Sequence, residues 1–442
     1  MQGGPLREVL AALTARAAQY RVMVLGAVSE AWAAQLRSAG MDAQATALRG
    51  DAVSQLDALA TLPPERAPAL LVLPSTGVPD GMAAARSALA VLGPRLGWCC
   101  HETANTLLLL TREPGATRRM RWIGEGEVAA MRQLFRTIFG HEMSAEHWQW
   151  KYAQGAGSGL GLWVDGELLA HYGGTTRAVL AFGAPMVACQ VCDVMVAPQA
   201  RAALARRGPL AQLTATFLEH RIGEGTPHHI GFGFPSDRHF GVAQRLGLYE
   251  AVDEMVCVWW PAAVPPRGDG WRWRSTALDL EALREGSKEW QDIARLWQTM
   301  AAAFTGSVLG VRAPEWLRLR YARRPGLQYE VLLLRSRLTR RARGAVVLRR
   351  HAGFVEIVDL IGPPDAFAQL VHAARQRTAM AGAGHCQAWI TASHAAMLQS
   401  AGVPSRVERL DITVPANAHT PGPAPARFRD KWFLMSGDTD FR

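Results

Sequence analysis

The segment CQVCDVMVAP at 189–198 returns as VEIVDLIGPP at 355–364, which sets Asp359 on Asp193 and Pro364 on Pro198. Two more anchors recur in the same order. Glu315-Trp316 and Arg320-Tyr321 echo His147-Trp148 and Lys151-Tyr152 with one residue inserted, and AAMLQSAG at 395–402 echoes GVAQRLG at 241–247. Three anchors in one order imply a single α/β unit present twice in tandem. That repetition constrains the fold more than any single helix or strand does.

At 442 residues the chain exceeds one ordinary core, so two or three domains are expected. The first block, 1–116, alternates short apolar strands (21–25, 43–48, 69–73, 106–111) with helices (29–39, 81–92). This alternation predicts a mostly parallel sheet in a three-layer, Rossmann-like α/β domain. Gly26 follows the first strand where a nucleotide-binding turn begins. The rest of that turn, Ala27-Val28-Ser29-Glu30, carries side chains that block close approach of a ligand. The block resembles a class I methyltransferase core whose cofactor loop has decayed.

The second block, 118–262, predicts helices at 127–139 and 144–152, then strands at 160–164 and 168–173 joined by an Asp165-Gly166 hairpin turn. Strands at 177–182 and 186–196, a helix at 209–221, a strand at 229–234, a helix at 238–246 and a strand at 255–259 follow. PAAVPPRGDG, at 261–270, reads as a linker. The third block is 271–418, and a tail occupies 419–442.

Composition narrows the function. The chain is 49% hydrophobic and 19% charged, hence globular. Its net charge of +10 is almost all arginine, Lys151, Lys288 and Lys431 being the lysines. Basic runs stay short and scattered, and neither zinc-finger spacing nor an RNA-binding aromatic signature is present. An anionic small ligand is therefore expected, and dedicated nucleic-acid binding is not. The amino-terminal stretch does not read as a signal peptide and no run of 18 apolar residues occurs, so a cytoplasmic location without a transmembrane segment is expected. Cys189 and Cys192 form a CxxC in a strand, where positions three apart face opposite sides. Buried thiols are expected there, and no metal.

The basic loop after the repeated strand carries the chemistry. Arg201, Arg206 and Arg207 crowd the approach to a helix that opens at Gly208-Pro209. A helix start presents unpaired N–H groups and a partial positive charge, and arginine forks match phosphate oxygens. Gly208 allows close backbone approach, and Pro209 gives up an N–H that no intrahelical bond needs. A phosphate-bearing ligand is the expectation.

The order of elements in 118–262, with DVMVAP, the ARRGP loop and GFGFPSDRHFGVAQRLGLY, resembles the GNAT acyl-CoA N-acyltransferase superfamily. The fainter 271–418 block extends the likeness to proteins with two GNAT-like mixed-sheet halves behind a Rossmann-like domain, α/β followed by α+β. The resemblance implies acetyl-CoA or another acyl-CoA as co-substrate and no metal. It implies that Met195 and Val196 offer backbone groups to pantetheine, and that Arg201, Arg206, Arg207, Gly208 and Pro209 meet the pyrophosphate. The family loop is Q/R-x-x-G-x-G/A; here Ala202-Ala203-Leu204 follow Arg201 and the glycine comes late. Many members place a tyrosine acid where this chain has Ala243. Tyr249 is the substitute, and Asp193 is a candidate base whose counterpart Asp359 favours a structural role instead. His228, His229 and His239 border the same stretch, each read as a satisfied polar residue.

The second copy has Asp365-Ala366-Phe367-Ala368 after its proline pair, with neither glycine nor arginine. It is expected to shape a pocket or an interface. The tail ends in DKWFLMSGDTDFR, apolar residues and carboxylates that suggest docking, since free tails are polar. By resemblance to a tandem GNAT family, Asp438, Asp440 or the Arg442 carboxylate is a candidate base; a strand covering a sheet edge is the plainer alternative. Two functions are weighed: transfer of an acyl group to the primary amine of a small molecule or amino sugar, and a catalytically inactive acyl-CoA-binding scaffold.

Overall fold

A computed structural model of the chain describes residues 21–25, 29–38, 42–46, 70–74, 99–103, 106–110, 119–164, 166–198, 209–263, 273–281, 283–399 and 403–441. The Gly26 turn, the helix expected at 81–92, the loop with Arg201, Arg206, Arg207 and Gly208, and Arg442 lie outside the described residues. The chain forms two compact units, 1–143 with 158–174 and 193–221, and 144–157 with 175–192 and 222–442.

The first elements are β1 (Arg21–Leu25), α1 (Ser29–Ser38), β2 (Asp42–Thr46), β3 (Leu70–Pro74), β4 (Cys99–Thr103) and β5 (Thr106–Leu110). They make a five-stranded sheet in the order β2-β1-β3-β5-β4. β1 runs parallel to β2 and β3, whereas β5 is antiparallel to β3 and β4. The sheet is thus mixed, where the alternation of elements predicts a mostly parallel one. The difference lies in β4, whose Cys-Cys-His-Glu-Thr lacks an apolar run. Two residues separate it from β5, a gap that joins only antiparallel strands.

A series follows: β6 (Arg119–Trp122), α2 (Val128–Phe139), α3 (Ala145–Trp148) continued by a π turn (Gln149–Gln154), β7 (Ser158–Val164), β8 (Glu167–Ala181), β9 (Ala184–Val196), α4 (Pro209–Arg221), β10 (Ile230–Phe232), α5 (Asp237–Arg245) and β11 (Tyr249–Pro261). Then come β12 (Trp273–Leu278), α6 (Lys288–Ala303), β13 (Val308–Gly310), α7 (Pro314–Leu317) with a π turn (Arg318–Ala322), β14 (Glu330–Ser336), β15 (Ala342–Arg350), β16 (Phe354–Ile361), α8 (Phe367–Met380), β17 (His385–Thr391), α9 (Ala396–Gln399) and β18 (Arg406–Asn417). Leaving aside the short β13, the second series runs in the order of the first, π turns included. β19 (Trp432–Phe433) lies in the tail.

In the first unit β6 pairs with β7, and β7 with β8, all antiparallel. α2 buries Met131, Leu134 and Phe135 along one stripe and ends on Gly140 at φ 73°, a left-handed cap that glycine adopts without strain. Phe217 of α4 packs on Trp122 and Tyr172, with ring centroids 5.9 and 5.0 Å away.

In the second unit β8 turns into β9 through Phe182 and Gly183, at φ 54° and 82°. Two consecutive positive φ values match the strand twist of a tight hairpin. A seven-stranded sheet takes the order β12-β14-β15-β16-β17-β11-β18. β11 sits inside it, antiparallel to both β17 and β18. Val256, Val258 and Trp260 of β11 join one apolar cluster with Ile357, Phe367 and Ala388. Met255 and Cys257, on its opposite face, join a second with Phe232 and Trp389.

The tail runs between those two clusters. Trp432 and Leu434 belong to one, and Phe433 and Met435 to the other, the alternation of a strand buried on both faces. β19 is parallel to β13, and β13 is antiparallel to β8.

Candidate functional site

β9 is interrupted near its end. Asp193 holds φ 47° inside the strand, a conformation that Asp tolerates better than most residues and that marks a bulge. Its carbonyl receives the Nδ1 of buried His171 at 2.7 Å. Gly159 makes room for that ring, because a Cβ there would overlap His171 Nε2. Val194 is then turned outward, Met195 is fully buried, and Ala197 N–H donates to the Leu169 carbonyl at 2.8 Å. β10 pairs with β9 only over residues 188–190. α4 begins at Pro209, directly after the basic loop.

The other expected residues divide between the two units. Asp193, Met195, Val196 and Pro209 fall in the first unit, and Tyr249 in the second. Tyr249 is buried and opens β11, where it registers with Asn417, whereas the sequence predicts no strand before residue 255. Buried His228 meets Thr176 Oγ1 at 2.9 Å, and His239 meets Ser236 Oγ at 2.9 Å. His229 lies 3.4 Å from the Val187 carbonyl.

A cluster that sequence reasoning does not assemble lies in the second unit. Asp438 accepts from Arg312 Nη2 at 2.5 Å and from Arg177 Nη2 at 3.0 Å, and caps the Met435 N–H at 3.0 Å. Arg312 Nε donates to Asp359 at 2.8 Å, and Tyr321 Oη donates to the other Asp359 oxygen at 2.8 Å. All five side chains are buried. Two arginines and two aspartates balance in charge, which is what lets four ions sit away from water. Arg177 also lies 3.4 Å over the Trp316 ring. The cluster joins β8, the turn after β13, the π turn, β16 and the tail.

Burial alone works against the Asp438 charge, but Arg312 and Arg177 outweigh it and hold its carboxyl below the ordinary range. Burial pushes the Asp359 carboxyl up, against the pull of Arg312, with the Asp438 charge adding to the rise. Burial likewise works against Arg312, and the two aspartates more than offset it, raising its pKa. Arg177 is lowered, chiefly by burial. A carboxylate so held is a fixed anion, unlike a general base, whose pKa must lie near the working pH.

The two π turns grip the tail. Arg320 Nε donates to the Gly437 carbonyl at 2.9 Å and its Nη2 to the Thr439 carbonyl at 2.7 Å. Lys151, at the position that Arg320 echoes, meets Asp440 at 2.6 Å. Arg324 donates to the Asp440 carbonyl at 3.1 Å, and burial with repulsion from Arg320 pushes it down to about 10. The signal for this cluster was present as Asp359, the EW…RY echo and the carboxylates of the tail. Arg177 and Arg312 carry no local mark.

Residues 119–251 match the family model described as an acetyltransferase (GNAT) domain. Among solved structures, a conserved protein of unknown function from Enterococcus faecalis V583, described as a probable N-acyltransferase, is 16% identical with a TM-score of 0.53, covering 72% of this chain and 75% of that one. A GCN5-related N-acetyltransferase from Anabaena variabilis is 11% identical with a TM-score of 0.49, covering 68% and 73%. One from Kribbella flavida is 17% identical with a TM-score of 0.47, covering 68% and 71%. The Enterococcus likeness is one of fold. No curated protein is significantly similar to the chain. By sequence, the GNAT likeness lies in residues 119–251.

Proposed function

We propose that the protein is an acyl-CoA-dependent N-acyltransferase, working from the cytoplasmic pool, that transfers an acyl group, acetyl in the simplest case, to a primary amine of a small molecule or amino sugar. One observation carries the reading: the GNAT match spans β9, whose positive φ at Asp193 marks a bulge near the strand end, and α4 is the next element in sequence. Extended backbone suits a pantetheine arm, and a helix start suits a diphosphate. In this reading Met195 and Val196 hold the arm, and Arg201, Arg206, Arg207, Gly208 and Pro209 hold the pyrophosphate.

The amine nitrogen attacks the thioester carbonyl, the C–S bond breaks, the amine proton leaves to a base and the thiolate takes up a proton. An N–H near Val196 would receive the oxyanion. Asp193, Tyr249 and the Arg442 carboxylate are the candidates for moving protons. The element order shared by 119–261 and 273–417 supports reading the second stretch as a further copy of the unit, and the first block as a separate α/β domain.

Calorimetry with acetyl-CoA tests the binding. Arg206→Glu/Arg207→Glu and Gly208→Glu are expected to abolish the heat seen for the wild type; equal binding by all three rejects the loop. Ala243, where many relatives have a tyrosine, favours the second reading, an inactive acyl-CoA-binding scaffold. Steady thiol release with any amine in a panel excludes that scaffold.

A further inference from the structure

β16 and β17 are paired only over Phe354–Ile357 and His385–Ala388. Beyond that the two strands part, and the tail fills the wedge. Met435 bridges Ile390, and the Thr391 N–H donates to the Leu434 carbonyl at 3.1 Å, so one lip of the cleft is hydrogen-bonded to the tail. On the other lip Ser436 Oγ reaches the Val358 carbonyl at 3.4 Å. Gly437 lies so close that a Cβ would overlap Tyr321 Oη and come within 3.0 Å of the Val358 carbonyl. At the floor, Asp438 meets Arg312 and Arg177, and Arg312 reaches on to Asp359 of β16.

We infer that the cleft between β16 and β17 is a peptide-binding site whose ligand is the chain's own Leu434–Thr439, and that Asp438 is the residue the site selects. The recognition has the parts of a built receptor. Backbone pairing fixes direction, a pocket admits only glycine, and a two-arginine floor takes one carboxylate. Met-Ser-Gly-Asp matches these in order, and residues 435–439 are all buried. β16 is the strand that echoes β9, so on the reading of two GNAT copies the peptide lies beside the second copy's equivalent of β9. Recognition of the peptide itself does not depend on acyl transfer. Seated this way, Asp438 is a positioning residue that sets Asp440 beside Lys151.

The test uses the full chain with a protease sequence inserted between Gly422 and Pro423, cut after folding. The fragment from Pro423 onward is expected to stay with the body through gel filtration. From an Asp438→Asn chain it should leave about a hundredfold faster, the low end of what removing one member of a buried charge pair does. From Asp440→Asn, which breaks one pair rather than two, release should speed up by less than from Asp438→Asn. Loss of the wild-type fragment on cutting, or equal retention with Asp438→Asn, overturns the inference. Should the Asp438→Asn chain not fold, synthetic 423–442 peptides with Asp or Asn at 438 compete for the nicked wild type; equal displacement gives the same negative answer. Exchange of fragments between two nicked molecules at rates set by protein concentration would mean a second copy supplies the ligand, and overturns it too.

Discussion

Asp438 and Asp440 stand two positions apart and differ in everything that fixes their energetic weight. Asp438 is buried against two arginines, whereas Asp440 faces one lysine with its side chain 16% exposed. Removing one member of a buried ion group leaves uncompensated charge, so Asp438→Asn is expected to destabilise by about 3–5 kcal/mol. Asp440→Asn breaks one pair, with the buried Lys151, and should lose less than Asp438→Asn, which breaks two. Denaturant titration of both variants checks the contrast. Gly437→Ala adds one methyl against Tyr321 Oη and the Val358 carbonyl, and is expected to cost about 1–3 kcal/mol in overpacking. A Tyr321→Phe background, which removes the clashing oxygen, should recover part of that loss in the same titration.

The elements were largely legible. The two short helices with their π turns carry the HW…KY and EW…RY echo, and the long strands carry the CQVCDV and VEIVDL echo, because period and spacing are local properties. β11 was legible only in its apolar half. Its opening, Tyr-Glu-Ala-Val-Asp-Glu, alternates polar residues, and two register shifts break its pairing with β18. Partners distant in sequence escaped altogether, since nothing local tells Arg312 that it will meet a carboxylate 126 positions later.

At this same scale, the short turn that carries His394 presses the ring against the tail. Its Nε2 meets Ser307 Oγ at 3.2 Å, its Nδ1 meets Ser393 Oγ at 2.8 Å, and Phe433 lies edge-on at 5.6 Å. Ser393 in turn donates to Asp253 at 2.5 Å. Burial lowers the His394 pKa, Lys431 adds to the fall, and the Trp432 carbonyl opposes it. The unfolded chain therefore takes up this proton at a higher pH than the folded chain. The stability that follows is complete above the ordinary value of about 6.5 and is lost as pH falls through the folded value. Melting curves between about pH 7.5 and 5.5 should slope less for His394→Gln than for the wild type. His372 is lowered by burial as well and adds a slope of the same sign, so the difference between the two proteins is the readout.

For the molecule as a whole, none of the helices among the described residues is long and apolar enough to cross a membrane. The tail contributes to two cores at once, so its amides should be among the slowest in the second unit to exchange with deuterium; early exchange of Phe433 and Leu434 would contradict the packing. β11 has a comparable reach. Met255 pairs with Thr391 and Tyr249 with Asn417, contacts that join distant stretches of chain. A chain ending at Ala262 lacks both neighbours of that strand, and its β11 amides should exchange with deuterium early.

The threading of β11 has a consequence for synthesis. A ribosome delivers residues 249–261 long before it delivers 385–391 and 406–417. Through that interval the strand offers unsatisfied backbone edges and the side chains of Trp259 and Trp260 to whatever is near. The last turn of the wedge, Ser436–Asp438, is delivered later still. Folding of the second unit thus waits for residues 432–438, and a nascent chain stalled before residue 428 would be a client for chaperones rather than a partly working protein.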